Sequence, residues 1–99
     1  MDIISSDQRA HYRANNTRTV TLPDGRCERV YMPPSLWIQY EALQGLEGLS
    51  ESDVVDLALQ EMSVQPQASF SECFRCVVTD RVLAWFDAAE QAGLTADSL

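Results

Sequence analysis

Apolar and polar residues alternate twice in the first third of the chain. Residues 17–22 read TRTVTL, with Val20 and Leu22 on one side and Thr17, Thr19 and Thr21 on the other. Residues 26–32 read RCERVYM, again with period two. Between the runs stands Pro23-Asp24-Gly25, where proline presets φ and glycine accepts a positive φ, so the pattern predicts a β-hairpin. If Leu22 faces Arg26 across the turn, Val20, Leu22, Val30 and Met32 share one face with Arg18 and Glu28. Thr17, Thr19, Thr21, Cys27, Arg29 and Tyr31 then share the other. A slip of one residue would exchange the two faces.

From Pro33 onward the period changes to that of a helix. Two prolines end the strand and suit a helix start, where a missing N–H costs nothing. Leu36, Tyr40 and Leu43 recur on one face with Trp37 beside them, and Gly48 stops the run. Ser50, with Asp53 three residues on, signals a second helix carrying Val54, Val55, Ala58, Leu59 and Met62. Residues 63–68 (SVQPQA) connect it to a third helix. There Ser69 and Glu72 repeat the cap, Phe70, Phe74, Val77, Val78, Val82 and Trp85 form the stripe, and Gly93 closes it. Residues 1–16 read as a mobile polar arm with room for a short helical turn, 17–92 as one domain, and 93–99 as a frayed tail. A two-stranded hairpin is too small to cover three wide apolar stripes, so a partner chain is expected.

Composition narrows the class. At 45% hydrophobic and 22% charged, the 99 residues suit a globular domain with one modest core. No apolar run is long enough to span a membrane, and the start of the chain does not resemble a secretory signal; a soluble cytoplasmic protein is expected. Lysine is absent, and the net charge of −8 is unevenly spread. Up to Tyr31 there are five arginines against four acids; from Met32 there are two against eleven. The three cysteines, Cys27, Cys73 and Cys76, are an odd set and suggest reduced thiols.

The order of elements carries a resemblance. RVYMPPSLW (29–37), with apolar residues at 30 and 32 before the proline, and GLSESDVVDLAL (48–59) resemble the ribbon-helix-helix family of DNA-binding proteins. Over roughly residues 17–86 the chain looks like a bacterial subfamily with an extra strand before the ribbon and an extra helix after the second. The resemblance implies an α+β, ribbon-helix-helix-like fold: an N-terminal β-hairpin followed by three helices, in an intertwined homodimer. It implies a DNA-binding, repressor-like transcriptional regulator whose ribbon enters the major groove. Cys27, Arg29 and Tyr31 would then contact bases. The second helix's N-terminus (Ser50, Glu51, Ser52) would anchor a phosphate, with Arg26 in support and Arg9, His11 and Arg13 as an arm. Glu51 and Asp53, however, stand where that phosphate would approach.

The acidic balance keeps a second class open: a protein-binding adaptor or inhibitor on the same dimer fold, antitoxin-like or mimicking nucleic-acid charge, with the acidic helical surface as its docking face. Enzyme chemistry has little support, since the single histidine leaves no nucleophile–base arrangement. The CFRC motif (73–76) falls inside a helix, with Cys73 on its apolar side, and reads as core before it reads as a redox or zinc site. No cofactor or metal is expected.

Overall fold

The computed structural model describes residues 6–93. Its elements are α1 (Ser6–Asn15), β1 (Thr17–Thr21), β2 (Cys27–Tyr31), α2 (Pro34–Glu47), α3 (Glu51–Val64) and α4 (Phe70–Gln91). The architecture is α+β: an antiparallel hairpin, then helices.

Parity sets the hairpin. Val20 faces Glu28, Arg18 faces Val30 and Thr19 faces Arg29. The Leu22 N–H donates to the Arg26 carbonyl at 2.8 Å, which is the register expected from the turn. Gly25 supplies its positive φ of 88°. Val20, Leu22, Val30 and Met32 are buried, and Thr19, Thr21, Cys27 and Arg29 are exposed.

The helix boundaries have local causes. Pro33 precedes α2 with Pro34 in its first turn, and Gly48 ends it in the left-handed region at φ 66°. Both remaining helices start with a complete capping box, Ser50 with Asp53 and Ser69 with Glu72.

The inner face of the hairpin lies on α3 and α4, with β1 against α3, β2 against α4, and α2 packed on α4. At the centre Phe74 is fully buried, its ring centroid 5.6 Å from that of Tyr40, 6.4 Å from Trp37 and 6.1 Å from Phe70. Sixteen hydrophobic side chains from five elements and the strand ends are buried within the single chain. Within the chain α4, 22 residues long, packs against β2, α2 and α3 and buries its stripe as far as Val82, while Ile38 and Leu46 on α2 and Leu83 and Phe86 on α4 stay exposed.

The N-terminal segment read as a polar arm contains α1. Its backbone is helical for ten residues, and the junction with β1 is tied. The Asn16 side-chain amide donates to the Tyr12 carbonyl at 2.7 Å, and the Thr17 hydroxyl to the Arg13 carbonyl at 2.6 Å. These bonds satisfy carbonyls that a helix end leaves open. The Asn16 carbonyl in turn accepts from the Met32 N–H and the Trp37 indole N–H. Residues 1–5 and 94–99, and with them nearly all of the expected frayed tail, lie outside the described part.

Candidate nucleic-acid interface

The outer face of the hairpin is built by cross-strand pairs. Arg29 stands opposite Thr19, and Cys27 opposite Thr21, all four exposed. Among the described residues no acid pairs with Arg29, so its guanidinium keeps its donors for an external acceptor. Thr19 and Thr21 were not singled out as contacts from the sequence, although the same parity places them there.

The strand's free edge belongs to the same surface. Leu22 and Arg26 are bonded across the ladder, as are Asn16 and Met32, so the bonded pairs fall on even positions. The N–H and C=O groups of Cys27, Arg29 and Tyr31 thus point away from β1. At one end this edge is closed, because the Tyr31 N–H donates to the Ser71 hydroxyl at 2.9 Å.

Tyr31 is the base-contact candidate that the fold treats differently. Its ring is half-covered by α1: the Tyr12 ring meets it edge-on at 6.5 Å, and the Arg13 guanidinium lies 4.8 Å from its centroid. Arg13 is therefore stacked on the hairpin. Arg9 is exposed on the same helix, and the His11 side chain lies outside the described part. Arg26 donates to Asp24 at 2.6 Å, and these bonds hold the Asp24 carboxyl below its ordinary value. Arg18 is on the inner face, as parity requires, paired with Glu41 at 2.7 Å and lying 4.4 Å over the Trp37 ring.

At the start of α3 the capping box uses the groups proposed for a phosphate. The Ser50 hydroxyl accepts from the Asp53 N–H at 3.1 Å, and the Ser50 N–H donates to the Asp53 carboxylate at 3.0 Å. The Ser50 N–H first, and the Ser50 side chain second, lower the Asp53 pKa and keep a negative charge at the helix end. Of the three residues, Glu51 and Ser52 retain N–H groups outside the box.

Cys73 and Cys76 stand one turn apart on α4 and line one shallow pocket with Glu61 and Glu72. Cys73 is buried, with its thiol pushed up by that burial, whereas Cys27 and Cys76 are exposed. Among the described residues no group of three or more His, Cys, Asp or Glu side chains is placed to hold a metal. No helix there is long and apolar enough to cross a membrane. Comparison with protein-family models, curated proteins and solved structures found no match to this chain.

Proposed function

We propose that the protein is a DNA-binding transcriptional regulator of ribbon-helix-helix type that reads the major groove with the outer face of its hairpin. The observation carrying this reading is Arg29: central on β2, exposed, without an ion pair among the described residues, and flanked by the short side chains of Thr19, Thr21 and Cys27. Short neutral neighbours let one long guanidinium reach base edges, where a bidentate contact to guanine discriminates by ~1–3 kcal/mol. Two copies would pair their β2 edges about Arg29, and the two central strands of the resulting four-stranded sheet would be the ribbon presented to the groove. Tyr31 then acts as a platform that orients Arg13 toward the backbone.

The charge layout agrees. The cations gather on α1 and the hairpin, while residues 34–91 hold ten acids and two arginines and would face away from the duplex.

The test is a titration with the protein's own promoter fragment and a scrambled control, at two salt concentrations. Tight, salt-sensitive preference for the promoter is expected, falling at least ~10-fold in Arg29→Ala with the fold retained. Equal binding by Arg29→Ala would remove the assignment. No binding at low salt would favour the second reading, a protein-binding adaptor, which the acidic helical layer supports.

A further inference from the structure

We infer that the far end of the helical layer is a docking groove for a basic amphipathic helix of another protein, a site separate from the hairpin face. The groove lies between α2 and α4 and is lined by Gln39, Ala42, Leu43, Leu46, Trp85 and Phe86, with Val82 at its floor. Apart from Gln39 its lining side chains are apolar. Its volume of about 200 Å³ falls below the ~300–1,000 Å³ of small-molecule sites. It suits one or two inserted side chains better than a whole ligand.

The groove is the centre of a larger apolar surface. Ile38, Ala42 and Leu46 follow at i, i+4 and i+8 on α2, with Ile38 67% and Leu46 65% exposed. On α4 the buried positions end at Val82, and Leu83 and Phe86 are 59% and 54% exposed. Trp85 meets Phe86 edge-on at 5.4 Å and forms one wall. Large apolar side chains grouped in this way mark interaction surfaces, in contrast to apolar residues scattered singly.

Charge selects the occupant. Trp37 and Tyr40 meet Phe74, and further along both helices Leu46 and Phe86 line one groove, so α2 and α4 run in the same sense. Their carbonyl ends close together, and neither has a basic residue in its last turn. Glu47, Asp87 and Glu90 stand there instead, adding to the negative ends of two helix dipoles. A second copy meeting this groove with the same face would set its own Glu47, Asp87 and Glu90 against these acids. A helix with leucine-like anchors on one face and Lys or Arg along its flanks matches both the apolar floor and the field.

Tryptophan emission reads the site directly, because Trp85 forms its wall while Trp37 is only 3% exposed. The full chain is titrated with a peptide of about 18 residues, with leucines at i, i+3, i+4 and i+7 and lysine elsewhere, and with its glutamate counterpart. The lysine peptide is expected to shift the emission saturably and the glutamate peptide to leave it unchanged. Phe86→Ser and Leu46→Gln, both exposed positions whose melting by circular dichroism should match wild type, are each expected to weaken binding at least ~10-fold. Glu47→Gln with Glu90→Gln should weaken it less and flatten its salt dependence. The inference is overturned by equal affinity in Phe86→Ser, which would reduce binding to bulk charge, by equal binding of the glutamate peptide, or by no response up to about 1 mM peptide. Light scattering that found a dimer dissolved by Phe86→Ser would likewise assign the groove to a second copy.

Discussion

Phe74 and Arg18 show how far apart two roles can lie in one small core. Phe74 has no accessible surface and touches the three other aromatic rings around it. Phe74→Ala leaves a cavity that the surrounding rings cannot close, so a loss of about 3–5 kcal/mol is expected in urea unfolding. Arg18 sits at the rim, over Trp37 and beside Glu41, with about half of its side chain in solvent. Arg18→Ala should cost only about 0.5–1 kcal/mol, because solvent screens both contacts. It should leave DNA affinity unchanged, which separates this inner-face arginine from Arg29 in the same titration. Near the core Tyr40 has its phenol pushed up to about 12, by burial first and by Glu51 second, and its oxygen accepts from the Gln44 amide. It stays neutral throughout the range in which the protein would be studied.

Among the elements, α3 and α4 depend on their capping boxes. Ser50→Ala and Ser69→Ala are each expected to lose about 0.5–2 kcal/mol, read as a lowered melting temperature. The α3 box also carries a pH dependence. The Asp53 carboxyl is lowered in the folded chain, first by the Ser50 N–H and then by its hydroxyl. Its contribution is therefore complete above the ordinary carboxylate pKa of ~3.9 and is lost as pH falls through the lower, folded value. Thermal melts at neutral pH and near pH 3 should show this loss in wild type and a smaller one in Asp53→Asn. For α1, deleting residues 1–14 removes Tyr12 and Arg13 from the ring of Tyr31. If Arg9 and Arg13 reach phosphates, the slope of log affinity against log salt should shrink by up to about 2.

At the scale of the whole molecule, the proposed ribbon competes with a bond the single chain makes for itself. The Tyr31 N–H, on the edge that would pair with a second copy, donates to Ser71 on α4. Pairing about Arg29 requires that bond to be exchanged. Ser71→Ala should thus favour the dimer, seen by sedimentation as association at lower concentration; if it has no effect or the opposite one, pairing does not run through this edge.

What could be read from the chain itself follows from short-range physics. The Leu22–Arg26 register rests on side-chain parity and on a turn that Pro23 and Gly25 encode locally. The ends of α2 to α4 rest on Gly48, Ser50 and Ser69, each acting within one helical turn. Hence the inner and outer faces of the hairpin, and the exposure of Arg29 and Cys27, were determined by sequence alone. The placement of α1 over Tyr31 was not, because Tyr12 and Arg13 reach it through weakly directional ring contacts across the sheet, and the polar helix carries no apolar stripe to announce them. Nor was the packing of α4 on β2, since periodicity tells which face of α4 is apolar but not which element of the chain it will meet. The groove of Leu46 and Phe86 has the same origin: two apolar positions, ordinary on their separate helices, become one surface only where tertiary packing sets α2 beside α4 and lets it run past the last core residue.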